Sequence, residues 1–229
     1  MTLCIAVKCQ DMGEQRVVCC FDAQVGNDEY GTETEQKWHQ LTPSICAMYA
    51  GRWDLARDVI KIYKSKLKRS KITTQNYRSV LRKPMDSFFV DDSFEPDGDV
   101  DLLAVARVDG DLRIVQINRR SITVERDFYA VGTGAPSATA LLKWRKVSPR
   151  TDLNAALYFA YEAKRIGEVS PFVGKIMTYL YVLNVKSTPI IEQILTTHEV
   201  TQLAEAFKRF GPQEFDYAWR LSPAAPRDR

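Results

Sequence analysis

The apolar residues of this chain change their spacing in a set order, and that order restricts its folds more than any single motif does. Thr2 to Lys8 and Arg16 to Asp22 are short runs rich in β-branched residues and cysteine; separated by the polar, glycine-containing Gln10 to Gln15, they read as a hairpin. After the polar segment Gly26 to Gln36, Lys37 to Leu41 and Ser44 to Ala50 read as two more strands around Thr42-Pro43. The spacing then turns helical: Trp53, Ala56, Val59, Ile60, Tyr63 and Leu67 recur at steps of three and four. A weaker helix from about Thr74 to Arg82 is expected to end before Pro84. Leu102 to Val108 and Leu112 to Ile117 flank the hairpin turn Asp109-Gly110, and Ile122 to Val124 and Phe128 to Val131 extend the sheet. Helices follow from about Ser137 to Lys146 and, capped by Thr151 or Asp152, to about Arg165 before Gly167. A strand from Ile176 to Asn184, a short one near Ile190 and a helix from about Glu199 to Phe210 complete the order. Strands, two helices, strands, two helices and a strand make an α+β order in which two sheets stack with helix pairs outside, a four-layer αββα sandwich.

At 229 residues one large domain, 1–229, is expected, with a C-terminal extension from about residue 195 and a tail over 222–229 that frays. A net charge of +3 is too mild to demand nucleic acid or a membrane surface as partner, and the basic helix face of Lys61, Lys64, Lys66, Lys68, Arg69 and Lys71 reads as solvated. Cys4, Cys9, Cys19, Cys20 and Cys46 are odd in number, lack Cys-x-x-Cys spacing and sit in apolar runs, so they read as reduced core thiols rather than zinc ligands. The acidic stretch Asp91 to Asp101 misses the EF-hand register, which wants a glutamate where Ala104 stands, and reads as a surface loop. The first residues show no signal peptide, and no apolar run reaches the roughly 20 residues of a membrane span. A cytoplasmic protein without metal or cofactor is expected.

Only two histidines are present, which restricts histidine-based catalysis. His39 alternates within a strand and reads as structural, and His198 near a helix start as a surface residue. A different nucleophile is available at the chain's start. Methionine followed by a small residue is a substrate for methionine aminopeptidase, so removal of Met1 makes Thr2 terminal. A terminal threonine carries its own base, an α-amine with a reference pKa near 7.7 to 8.0.

The opening Thr2-Leu3-Cys4-Ile5-Ala6-Val7-Lys8, then Val17-Val18-Cys19-Cys20-Phe21-Asp22, Lys37-Trp38-His39-Gln40-Leu41, and Ala50-Gly51 before a helix, resemble the first third of a proteasome β-type subunit. Asp101 to Ile117 resembles the family's central hairpin, Tyr129-Ala130-Val131-Gly132-Thr133-Gly134 its Gly-Ser-Gly turn, and Thr151 to Ile166 its long penultimate helix, so the likeness spans about residues 2–184. It implies an N-terminal-nucleophile hydrolase, a threonine peptidase working inside a homo-oligomeric ring on peptide or unfolded protein. On the resemblance Thr2 is the nucleophile, Lys37 the lysine beside it, Asp22 the acid that orients that lysine, and Gly51 the oxyanion-hole N–H. Thr133 stands where the family has a serine beside the terminal amine; Glu168 and Ser170 stand where it has an aspartate and a serine. Tyr49 and Trp53 flank Ala50-Gly51, positioned to narrow a specificity pocket.

Taken singly, Asp22 and Lys37 also read as strand-end surface charges, and Gly51 as a strand-to-helix turn. Gln24 replaces an arginine of the family, Glu168 to Gly174 is longer than the usual Asp-x-x-Ser-Gly, and the C-terminal extension points to a divergent bacterial member, HslV-like or Anbu-like. Two other readings fit the same fold: an amidase or acyl transferase acting on a non-protein substrate, and an inactive assembly or binding homologue. The residues leave ring size, substrate and any ATP-driven unfoldase partner open.

Overall fold

In a computed structural model, residues 2–22, 37–89, 100–125, 127–170, 173–175 and 177–211 are described. Gln24, most of the acidic stretch, Ile176 and the tail lie outside them. Two antiparallel hairpins start the chain: β1 (Leu3–Asp11) with β2 (Glu14–Asp22), and β3 (Trp38–Thr42) with β4 (Ile45–Gly51). The first hairpin is longer than its polar centre implies. Met12 and Gly13 both have positive φ, 48° and 80°, so a two-residue turn carries the pairing out to Asp11 and Glu14. Two outer helices follow, α1 (Trp53–Leu67) and α2 (Tyr77–Phe88). The middle of the chain forms β5 (Val100–Val108), β6 (Asp111–Ile117), β7 (Ile122–Glu125) and β8 (Phe128–Gly132). Then come α3 (Ala135–Trp144), α4 (Leu153–Gly167), β9 (Thr178–Asn184), β10 (Ile191–Ile194) and α5 (Thr197–Phe210).

The strands form two five-stranded sheets, ordered β10-β9-β2-β1-β8 and β3-β4-β5-β6-β7. Alternation along each strand divides its apolar residues between two faces. From β1, Leu3, Ile5 and Val7 pack against the helices α3 and α4, while Cys4 and Ala6 enter the space between the sheets. From β4, Ala47 and Tyr49 pack under α1 and α2, and Cys46, Met48 and Ala50 face the other sheet. Three apolar layers thus separate four layers of secondary structure, the αββα sandwich. All five cysteines are free and buried within it, and no described helix is long and apolar enough to cross a membrane.

Two expectations need correction. The second outer helix does not stop before Pro84 but runs through it to Phe88. Leu81, Pro84 and Met85 share its buried face, and Arg82 donates to the Asn118 and Arg119 carbonyls at 2.9 and 2.6 Å; this packing outweighs the one backbone bond that proline forfeits. The strands β7 and β8 also part company: β7 pairs with β6, whereas β8 crosses to the other sheet and pairs with β1. Elsewhere the bounds shift by a residue or two. α4 starts where Asp152 accepts from the Asn154 N–H at 2.9 Å, and α5 starts at Thr197 because Thr196 and Glu199 form a reciprocal capping box.

Leu81, fully buried beneath the outer helices, sets the scale of the core's contribution. Leu81→Ala is expected to lower the unfolding free energy by about 2–5 kcal/mol, while exposed Lys83→Ala stays within about 0.5 kcal/mol of wild type; urea denaturation of both variants checks this.

Candidate active site

The register of the first hairpin, Cys4 opposite Phe21, leaves Asp22 at the end of β2 facing the start of β1. Thr2 and Asp22 therefore meet at one end of the inter-sheet layer, and Lys37, just ahead of β3, reaches them from the opposite sheet. None is a surface charge: Thr2, Asp22 and Lys37 are 2%, 0% and 2% exposed. The Thr2 hydroxyl donates to Asp22 Oδ1 at 2.8 Å, and the Lys37 ammonium donates to both Thr2 Oγ1 and Asp22 Oδ1. The second carboxylate oxygen accepts from the Leu3 N–H at 2.9 Å and the Gly174 N–H at 3.3 Å. Beside the cluster, Phe21, Trp38, Tyr179 and Tyr181 pack ring on ring between the sheets. A buried charge pair is tolerated only when its remaining hydrogen-bond capacity is filled, and here both carboxylate oxygens are.

Gly132, at the end of β8, has φ +100°, and a Cβ added there would lie 1.9 Å from the Thr2 carbonyl oxygen and 3.4 Å from the Ala50 side chain. Only a bare Cα lets the Gly132 backbone approach that of Thr2 so closely, with the Ala50 side chain in ordinary contact beside it. Gly51, with φ +108°, follows Ala50 and ends β4; half-buried Thr133 follows Gly132 in the turn before α3. Thr2, Asp22 and Lys37 are thus in direct contact, with Gly51 and Thr133 each one residue from the Gly132 convergence.

The remaining expected site residues lie apart from that contact. Glu168 caps the C-terminus of α4, where it pairs with fully buried Lys164 and with Arg165 at 2.8 Å. Burial pushes its carboxyl above the usual carboxylate range although both cations pull it back. Ser170 donates its backbone N–H to the Gly167 carbonyl at 3.0 Å. Tyr49, 3% exposed, stacks on His39 with ring centroids 5.9 Å apart; Trp53, 38% exposed, opens α1 with the Arg57 guanidinium over its ring. The sequence marks Gly132 only as part of a turn and Gly174 only as the end of an irregular segment; their contacts with Thr2 and Asp22 go through backbone and leave no side-chain signal.

The thiols do not compete as nucleophiles. Cys4 adjoins the cluster and donates to the Tyr49 carbonyl at 3.3 Å, and burial drives its pKa up against the pull of Lys37. Burial likewise pushes Cys9, Cys20 and Cys46 up to about 12. Among the described residues no three His, Cys, Asp or Glu side chains converge as a metal site would require. The arrangement is suited to acyl transfer onto a hydroxyl held against an ammonium.

The family model described as Proteasome subunit matches the chain over residues 2–167. Among solved structures, the chain is similar to Anbu (ancestral beta-subunit) from Yersinia bercovieri, with a TM-score of 0.74 and 13% identity; the match covers 98% of this chain and 100% of that one. No curated protein sequence matches the chain. At 13% identity the structural likeness carries the fold alone.

Gly132→Ala is expected to cost several times as much stability as Gly110→Ala, since Gly110 also has positive φ, +85°, but open space around it; the Gly110 change should cost about 1 kcal/mol, and thermal melts compare the two. His39 supplies a pH test. Burial, assisted by Lys64, lowers its pKa from 6.5 to about 4, so the unfolded chain takes up this proton before the folded one does. Stability from this group is therefore full above about pH 6.5 and lost as pH falls toward 4. Denaturation midpoints across that window should fall less steeply for His39→Gln than for wild type.

Proposed function

The chain belongs to the proteasome subunit family, and from that premise we propose that it is a threonine-type N-terminal-nucleophile hydrolase that cleaves peptide bonds in the cytoplasm. The observation that carries this reading is the buried contact of the Thr2 hydroxyl with Lys37 and Asp22. Removal of Met1 frees the Thr2 amine, which takes the hydroxyl proton as Oγ1 attacks the carbonyl carbon of the substrate. The Lys37 ammonium stabilises the charge developing on Oγ1, and Asp22 holds that ammonium in place. The Gly51 N–H is assigned to the carbonyl oxygen as it gains negative charge. When the C–N bond breaks, the leaving nitrogen takes the proton from the Thr2 amine and the acyl group remains as an ester on Oγ1. Water, giving its proton to the same amine, then releases the acid and restores the hydroxyl. Thr133, in the turn beside Gly132, is assigned to support of the amine's side of the site, and Trp53, partly exposed two residues after Gly51, to the specificity pocket. The working form is a homo-oligomeric ring that encloses its sites and admits peptides or unfolded chains.

Intact-mass spectrometry of the mature protein should find Met1 absent, and retention of Met1 would overturn the proposal. A β-lactone should add one adduct at Thr2 and none in Thr2→Ala. Turnover of fluorogenic peptides should fall at least about a hundredfold in Lys37→Ala, with particle size unchanged on a sizing column.

A further inference from the structure

A groove of about 1020 Å3 runs along β8. Gln116 of β6 and Val124 of β7 line one wall; Ala135, Thr139, Lys143 and Lys146, in and just after α3, line the other. β8 is the last strand of its sheet, so one edge of its backbone faces this groove. The Lys8 N–H donates to the Asp127 carbonyl at 2.8 Å, which makes those two residues a hydrogen-bonded pair. By the alternation of an antiparallel ladder, Tyr129 and Val131 then turn their backbone groups toward β1, and Phe128 and Ala130 turn theirs outward. Side chains on the floor satisfy one another: the Tyr129 hydroxyl donates to Gln116 Oε1 at 2.6 Å, and Gln116 Nε2 donates to Asp101 Oδ1 at 3.1 Å. The groove therefore offers a strand edge and a pair of exposed lysines, which together suit an extended peptide with a carboxylate at one end.

We propose that this groove binds the part of the substrate C-terminal to the cleaved bond, as an added strand paired with Phe128 and Ala130. The proposal rests on the peptidase function above. One contact in the structure and one step of the proposed mechanism fix its direction. Gly132, the end of β8, lies against the Thr2 backbone, so the groove starts beside the nucleophile. The leaving nitrogen collects its proton from the Thr2 amine, so the released segment departs along the Thr2 backbone, toward the strand packed on it. From there β8 extends away for five residues, about 17 Å. The helix α3 follows β8 after a two-residue turn and runs back along it, so Lys143 and Lys146 sit at the far end. They favour a carboxylate on about the fourth or fifth residue after the cleaved bond, from an acidic side chain or a chain terminus.

Quenched fluorescent peptides with a common N-terminal half and one to five residues after the cleaved bond, ending as acid or amide, test this. In parallel, anisotropy reports binding of a labelled five-residue C-terminal half to the Thr2→Ala protein. Lengthening should raise kcat/KM about tenfold, the effect of one or two net hydrogen bonds. That gain should shrink below about twofold in Thr139→Trp, which fills the groove. Lys143→Glu, at an exposed position, should remove the preference for peptides ending in an acid or carrying an acidic fourth or fifth residue; the amide series separates the two sources. A flat length series, or a full gain in folded Thr139→Trp, overturns the proposal. If no peptide of any length is cleaved, the peptidase function fails, and binding decides the groove alone: loss of binding in Thr139→Trp supports it, and absence of binding to the parent overturns it. A change of particle size in Thr139→Trp without peptide binding also overturns it, by making the groove an interface between copies.

Discussion

The end of the sandwich that carries Thr2 is organised around an ammonium and a carboxylate that have left water together. Removing Lys37 and Asp22 from solvent costs several kcal/mol for each ion, and the surroundings offset that cost only by ligating the pair completely. Asp22 receives the Thr2 hydroxyl, the Lys37 ammonium and the N–H groups of Leu3 and Gly174. Those donors come from the first strand, from the approach to β3 in the opposite sheet and from the connection after α4. One carboxylate thus joins both sheets to the segment that leaves the outer helix layer. An apolar pair of similar volume would hold the sheets as well or better, so on the proposed mechanism the charges find their reason in what they do to the Thr2 hydroxyl.

The backbone that carries that hydroxyl meets another more closely than a side chain would allow. β8 crosses between sheets to pair with β1, which brings Gly132 against Thr2 and Ala50. The same crossing leaves β8 as an edge with α3 folded back along it. The close approach of Gly132 to Thr2 and the open strand edge are therefore two consequences of one topological step, and a β8 that continued the sheet of β7 would supply neither.

Much of the fold is legible in the sequence because burial imposes a period. The stripe from Trp53 to Leu67 marks α1 to its ends, and alternation in β1, β2, β4 and β5 separates two apolar faces that the sandwich buries in different layers. What fails is what a local pattern cannot hold. A period of two says that Phe128 to Val131 is a strand but not which sheet it joins. Pro84 removes one donor, a local fact, while the contacts that keep α2 helical come from distant loops. In the site, Asp22 and Lys37 look like any strand-end charges, because their burial depends on a partner 15 residues away. Gly174 reaches Asp22 through a backbone N–H, which leaves no side chain to notice. Glu168 carries a readable charge, but its cations are Lys164 and Arg165 on the preceding turn of helix.

The inventory of reactive groups gives the chemistry its direction. Burial holds the thiols protonated, and it keeps His39 neutral, stacked on Tyr49. A hydroxyl gripped by an ammonium has its charge partner but still needs a base, and the ammonium, already bonded to Asp22, is a poor one. On the proposed mechanism the base is the nitrogen of Thr2 itself, which is basic only when nothing is attached to it. While residue 1 remains joined, that nitrogen is an amide whose lone pair is delocalised into the carbonyl, and the assembled site has its nucleophile, its charge pair and its strand edge without a proton acceptor. On that mechanism the folded site stays unreactive until cleavage of the Met1–Thr2 bond turns this amide into an amine.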